Sequence, residues 1–127
     1  MKRIYSLTLI LFLYAGASFA LPDYPSISCS KLVSEFGANE MRALRDHKNK
    51  TYIVSAKVES VGADFWDNPE IYLSDGDEWS FNSCMASPAK GEDFYYDLNE
   101  GQKVKMQCKV TGEAMGSPVL EECVLAN

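Results

Sequence analysis

Gly101-Gln102-Lys103-Val104-Lys105-Met106-Gln107-Cys108-Lys109-Val110 is the stretch on which the fold turns. Val104, Met106, Cys108 and Val110 alternate with Lys103, Lys105, Gln107 and Lys109. A period of two places one set against a core and the other in water, so the segment reads as a half-buried strand. Working outward, a turn around Met115-Gly116-Ser117-Pro118 leads into a further strand over residues 119–125. Upstream, Val54, Ala56 and Val58 alternate with Ser55, Lys57 and Glu59, which gives a first strand. Gly62 to Asn68 is a loop, Ile71-Tyr72-Leu73 a second strand, and Asp75-Gly76 a hairpin signal. Trp79-Ser80-Phe81, continuing to Cys84, reads as a third strand. A longer connection with Pro88, Gly91 and Phe94-Tyr95-Tyr96 separates it from the lysine-edged strand.

Before these strands the period changes. Leu32, Val33, Phe36, Met41 and Leu44 approximate one face of a helix, for which Ser28 or Ser30 offers an N-cap. Gly37 weakens that helix by about 1 kcal/mol relative to alanine, so it must be held by docking. It should stop near His47-Lys48-Asn49-Lys50. The prolines of Leu21-Pro22-Asp23-Tyr24-Pro25 give an extended lead-in. Three strands, a wider connection and two strands is the order of an OB-fold. The expected fold class is therefore mainly β: a five-stranded OB-fold Greek-key barrel with an N-terminal α-helix and two disulfides.

The N-terminus carries a different message. Lys2 and Arg3 precede an apolar run over residues 4–15, and Ser18-Phe19-Ala20 has the small-x-small form of a cleavage site. The run is shorter than the roughly 20 residues needed to cross a bilayer. The expected organisation is a signal peptide over 1–20, cleaved after Ala20, a lead-in over 21–29 and one domain over 30–127. The first cysteine, Cys29, lies well beyond the apolar run, which argues against a lipid anchor there. The chain has formal net charge −6, and loss of Lys2 and Arg3 takes the remainder to −8. Such a surface disfavours phosphate backbones and favours a basic partner. Cys29, Cys84, Cys108 and Cys123 form an even set in a small exported domain, which reads as two disulfides. Zinc is disfavoured, because there is no CxxC pair and only His47 as an imidazole.

Over residues 32–125 the chain resembles the tRNA_anti-like family of bacterial exported OB-fold proteins. Leu32, Phe36, Asn39 and Ala43 are similar to its helix, and Val54-Ser55-Ala56-Lys57-Val58 to its first strand. Cys84 resembles the cysteine ending its third strand, and Gly101-Gln102-Lys103-Val104 the turn opening its fourth. Leu120, Cys123 and Leu125 resemble its closing strand. His47, Asn49, Ala56 and Cys108 depart from the residues usual at those places. The resemblance implies a Cys84–Cys123 bridge, leaving Cys29 for Cys108, and this is the expected pairing. A hairpin centred on Met115-Gly116 offers a rival in which Cys108 faces Cys123 directly. The resemblance implies an exported barrel and no catalytic residue.

The chemistry-bearing residues agree with a non-enzyme that needs no cofactor. His47 sits at a helix end, where an imidazole serves as a C-terminal cation. No Gly-x-Ser-x-Gly elbow is present, and every cysteine is wanted for a bridge. Asp75-Gly76-Asp77-Glu78 and the acids around Asp64 and Asp67 do not follow a calcium-loop spacing. Asn49-Lys50-Thr51 is a glycosylation sequon of consequence only in a eukaryotic secretory path. The aromatics carry the functional signal. Phe65-Trp66 lies in the first inter-strand loop, with Tyr72 and Trp79 on the next two strands, the loop and face with which OB-folds bind oligonucleotides and oligosaccharides. The competing role for Phe65-Trp66 is to cover a barrel end, and for Trp79 and Phe81 to be core. The expectation is a periplasmic or secreted, non-enzymatic OB-fold binding module whose ligand the sequence does not name. A basic protein or a glycan or peptide is the candidate partner, with Phe65, Trp66, Tyr72 and Trp79 as the contact surface. An acidic inhibitor or immunity factor against a basic toxin or lysozyme-like enzyme is the alternative. A single-stranded nucleic-acid or oligosaccharide binder comes next, with nucleic acid disfavoured by charge.

Overall fold

The computed structural model describes residues 23–74, 76 and 82–126. The expected leader over 1–20, Asp75 of the hairpin signal, and Trp79 to Phe81 of the expected third strand lie outside the described residues. Among the described residues there are six strands and two α-helices: β1 (Ser26–Ser28), α1 (Cys29–Ala38), α2 (Glu40–His47), β2 (Thr51–Ala63), β3 (Pro69–Ser74), β4 (Ser83–Pro88), β5 (Lys103–Ala114) and β6 (Ser117–Leu125). A single 3-10 turn, Phe94–Asp97, interrupts the connection from β4 to β5.

The strands run β2-β3-β4-β6-β5 and return to β2, which closes the expected five-stranded OB barrel. β2 is long enough to serve two neighbours. Residues from Thr51 to Lys57 pair with β5, from Thr51↔Lys109 to Lys57↔Lys103, and those from Lys57 to Ala63 pair with β3. The lead-in also joins the sheet: β1 pairs in parallel with Ile53, Val54 and Ser55, and Ile27 is buried. Val104, Met106, Cys108 and Val110 face the core, while the lysines between them face outward, as their alternation requires. Val54, Val58, Ile71, Leu73, Ala86 and Leu120 complete the inner wall.

The helical segment departs from expectation. Cys29, Leu32, Val33 and Phe36 form one buried stripe on α1, but Met41 is 74% exposed. Asn39 breaks the helix in two. Its extended backbone ends α1 through an N–H donated to Glu35, and its side chain caps α2 by accepting from Arg42 N at 3.0 Å. Restarting the helix resets its face, so Ala43 and His47 turn inward instead of Met41. Ser28 is the cap of α1, accepting from Lys31 N at 3.1 Å. Strand β4 also differs, because Cys84 stands near its start and the strand continues to Pro88.

The disulfides are Cys29–Cys84 and Cys108–Cys123, which corrects the expected Cys84–Cys123 and Cys29–Cys108. In the parallel register of β4 and β6, Cys123 lies opposite Pro88. Cys84 is four residues back along β4, about 13 Å at strand rise, and two Cα atoms more than about 7 Å apart cannot be bridged. The hairpin count is the correct one. Met115 (φ 53°) and Gly116 (φ 85°) form a two-residue turn with positive φ at both positions. One extra residue on β5, between Val110 and Gly112, is cancelled by one on β6, between Glu121 and Val124. The second falls where Glu122 adopts φ 56°, so Leu120 and Cys123 both point inward although they are three residues apart. Cys108 and Cys123 then face each other with Cα atoms 4.3 Å apart. Cys29, at the first turn of α1, reaches Cys84 on β4 with Cα atoms 6.1 Å apart and ties the helix to the barrel.

Bridges spanning longer loops constrain the unfolded chain more. The 55-residue separation of Cys29–Cys84 corresponds to about 4 kcal/mol and the 15-residue separation of Cys108–Cys123 to about 3 kcal/mol. Non-reducing peptide mapping should recover these two pairs, and Cys29→Ser/Cys84→Ser should unfold at lower denaturant than Cys108→Ser/Cys123→Ser. The reverse ranking would contradict this assignment of the anchoring bridge.

Candidate functional site

The β2–β3 turn is built around one carboxylate. Asp64 Oδ1 accepts from the backbone N–H of Trp66 and of Asn68, each at 2.9 Å, and Asp64 N–H donates to the Asn68 carbonyl at 2.9 Å. The Asn68 amide adds a bond to Asp64 Oδ2 at 3.3 Å. These donors, the Asn68 backbone foremost, hold the Asp64 carboxyl below the usual carboxylate range. Asp67 takes φ 63°, a conformation aspartate tolerates in turns, and Pro69 begins β3 where a strand can dispense with an N–H.

This turn displays Phe65 and Trp66, which are 91% and 77% exposed. Their rings meet edge to face with centroids 5.5 Å apart. At such exposure they cover no barrel end. Two adjacent large aromatics held in water on an ordered turn are not core, and their ring faces are open to solvent. Tyr72 is not at the turn. It lies outward in mid-β3, paired with Ser60 and Met85, and its hydroxyl donates to Glu70 Oε2 at 2.8 Å. That bond is the first cause of the raised Tyr72 pKa. The structure thus brings Phe65 and Trp66 together and places Tyr72 on the neighbouring strand; Trp79 lies outside the described residues.

Behind the turn is a cleft of about 480 Å³, whose lining includes Asp64, Asn68, Lys90, Glu92, Tyr95 and Glu121. Asp64 and Asn68 close the aromatic turn and also line this cleft, while Phe65 and Trp66, between them in sequence, are not part of its lining. Tyr95 contacts Tyr96 with ring centroids 4.5 Å apart, and Tyr96 is 77% exposed. Three carboxylates against one ammonium make the cleft acidic. It can hydrogen-bond hydroxyls, amides and amines, and it opposes phosphate.

His47 does more than terminate a helix. Its imidazole is buried, with Nε2 at 2.7 Å from Glu35 Oε2 and Nδ1 at 2.8 Å from the Tyr52 hydroxyl. Glu35 is on α1, His47 on α2 and Tyr52 on β2, so one polar chain joins both helices to the barrel. An ionised carboxylate only accepts, so Nε2 carries the hydrogen of its bond to Glu35, and Nδ1 pairs with the Tyr52 hydroxyl. Sequence reading missed this network; its signal is a lone histidine on the inward face of a restarted helix. Burial, followed by the charges of Glu35 and Asp46, raises the Tyr52 pKa. Its stabilising effect is therefore complete below the usual tyrosine value of about 10 and is lost as pH rises through the higher folded value. Among the described residues, no cluster of three or more histidine, cysteine or acidic side chains is arranged to hold a metal ion.

Tyr52→Phe should destabilise the protein by about 1–3 kcal/mol, because it leaves the buried Nδ1 unpaired. The phenolate absorbance lost in this variant, read as a difference titration, should belong to a tyrosine ionising above the usual value. Ionisation at the ordinary value would contradict the network.

No known family profile matches the chain, and no curated protein does. Solved structures do. A "putative nucleic acid-binding lipoprotein" from Klebsiella pneumoniae subsp. pneumoniae superimposes with TM-score 0.66 at 12% identity, over 82% of this chain and 92% of that one. A "putative aspartyl-tRNA synthetase" from Leishmania major Friedlin aligns with TM-score 0.48 at 16% identity, over 87% of this chain and 22% of that one. At 12% identity the likeness to the Klebsiella protein is one of fold.

Proposed function

We propose that this chain is an exported, non-enzymatic OB-fold binding module whose contact surface is the aromatic turn Phe65-Trp66 with the adjoining acidic cleft. Tyr72, on the strand that follows, is a further candidate contact, and Trp79 is a candidate from the sequence alone. The observation that carries the reading is the exposure of both turn aromatics on a hydrogen-bonded scaffold.

Export is supported from three sides. The two buried disulfides suit an oxidising compartment. The sequence of residues 1–20 has the form of a cleaved leader, so the mature chain would start at Leu21 and reside in the periplasm or outside the cell. The Klebsiella protein of similar fold is described as a lipoprotein. Among the described residues, no helix is long and apolar enough to cross a membrane. Together these favour an exported relative of the tRNA_anti-like proteins.

The ligand class follows from the lining. Aromatic faces stack on sugar rings, and Asp64, Asn68, Glu92 and Glu121 suit hydroxyl or amide donors. An oligosaccharide or a peptide fits this surface better than a phosphodiester chain, which the carboxylates repel. The Klebsiella protein is described as nucleic acid-binding, but the residues of this turn and cleft do not favour that ligand here. The net charge of −6 favours a second reading, an acidic inhibitor that docks a basic enzyme.

Calorimetric titration of the mature protein with chitotetraose and with soluble peptidoglycan fragments tests the first reading. Phe65→Ala/Trp66→Ala should lose at least about tenfold in affinity, while stability stays within about 0.5 kcal/mol, as for exposed side chains. Binding unchanged in that variant would overturn the platform. Salt-sensitive retention on immobilised lysozyme that survives the double substitution would favour the inhibitor.

A further inference from the structure

Beyond the point where β5 stops pairing with it, β2 continues. Its last bonds on that side run from Val58 N–H to the Gln102 carbonyl at 2.8 Å and from Gly101 N–H to the Val58 carbonyl at 2.7 Å. From Ser60 to Ala63 the strand pairs with β3 alone, as a two-stranded ribbon that ends in the Phe65-Trp66 turn. One proline shows which way its backbone groups point. Pro69 has no N–H, so Ala63↔Pro69 is a non-hydrogen-bonded pair. Asp64 N–H, one residue on, accordingly bonds to the Asn68 carbonyl. Pairs alternate along an antiparallel ladder, so Val61↔Ile71 is also non-hydrogen-bonded. The N–H and C=O groups of Val61 and Ala63 therefore point away from β3, and no hydrogen bond reaches them from the described residues.

This edge lacks the usual protection. Exposed strand edges are commonly guarded by lysine, proline or a covering element. Glu59, Ser60, Val61, Gly62 and Ala63 are all exposed, and a Cβ placed on Gly62 would meet nothing within 4 Å. A second backbone can approach such a stretch closely. The charge of the ribbon has one sign. Between Val58 and Glu70 the charged residues are Glu59, Asp64, Asp67 and Glu70, with no lysine, arginine or histidine. These carboxylates oppose the pairing of two copies along this edge and attract a cationic strand. The open ring faces of Phe65 and Trp66, at its end, offer cation–π contact to lysine or arginine.

We propose that the outer edge of β2, residues 59–63, is a strand-addition site for an extended, basic segment of a partner polypeptide. Main-chain bonds to Val61 and Ala63 set its register, while the carboxylates and turn aromatics select cationic side chains. Such a partner deepens the reading of the aromatic turn given above and depends on it only for Phe65 and Trp66.

The test titrates the mature, oxidised, isotope-labelled protein with an acetylated, amidated pentapeptide of alternating lysine and valine. The amide resonances of Val61 and Ala63 should move most, followed by those of Phe65 and Trp66. Methylating every peptide nitrogen keeps the charge but removes the donors, and should weaken binding at least about tenfold, as loss of two or more hydrogen bonds implies. Val61→Pro removes an N–H that β3 does not use, and should have the same effect while the barrel resonances stay in place. The glutamate–valine counterpart should not bind. Equal affinity of the methylated peptide, or no movement of Val61 and Ala63 at millimolar peptide, would overturn the site whether or not Val61→Pro folds. A dimer in sedimentation that Val61→Pro abolishes would replace the peptide by a second copy. Chitotetraose separates the two surfaces. Its binding lost in Phe65→Ala/Trp66→Ala but kept in Val61→Pro, with no peptide bound, means that the edge alone fails. Peptide binding that survives the aromatic double substitution removes the turn and leaves the edge.

Discussion

Pairing of β2 with β5 is the constraint on which the rest of this structure depends. An open five-stranded sheet of this size would expose two unpaired edges, and seven consecutive partners from Thr51↔Lys109 to Lys57↔Lys103 remove them along that length. Closure places the alternating apolar residues of β2 and β5 inside one barrel and leaves its lower end to be covered by α1. Everything functional is then an outward consequence. The long C-terminal half of β2 carries the aromatic turn away from the core, beyond the residues that β5 pairs.

Covalent and polar links reinforce that frame from different directions. Cys29–Cys84 holds the first turn of α1 against β4, and the chain Glu35–His47–Tyr52 holds the other end of α1, together with α2, against β2. Cys108–Cys123 locks β5 to β6 at the level where Glu122 bulges out. A domain of this length buries a limited core, so such links contribute a large share of its stability.

What the sequence showed, and what it hid, divides along the range of the interactions involved. The period-two pattern of β5 and the first half of β2 is a local property, and both strands were legible. So was the Met115-Gly116 turn. The helix break was not, because Asn39 can serve as well inside a polar helix face as between two helices. Only its double duty as terminator and cap decides. The bridge pattern was misread by analogy: a cysteine that looks like the end of a third strand stands near the start of β4 instead. The hairpin count succeeded because two bulges, neither visible in the sequence, cancel. Phe65 and Trp66 were legible as candidates, since a polar turn gives them no core to join. The unpaired edge of β2 beyond Val58 was not, because it exists only once β2 and β5 are in register. His47 was seen as a helix end, and its two partners, twelve and five residues away, are brought to it by the fold.

The exposed turn aromatics and the acidic cleft beside them lie where β2 leaves the barrel. Turn and cleft both presuppose a closed barrel. Native-state amide hydrogen exchange tests that closure directly. Ile53 N–H is directed to Pro25 and Val58 N–H to Gln102, so the alternate amides of Val54 and Ala56 fall to β5. These amides, with those of the facing β5 residues, should exchange only through global unfolding. Exchange of Val54 and Ala56 at the rate of a free strand edge, while β3 and β4 remain protected, would contradict the closed barrel.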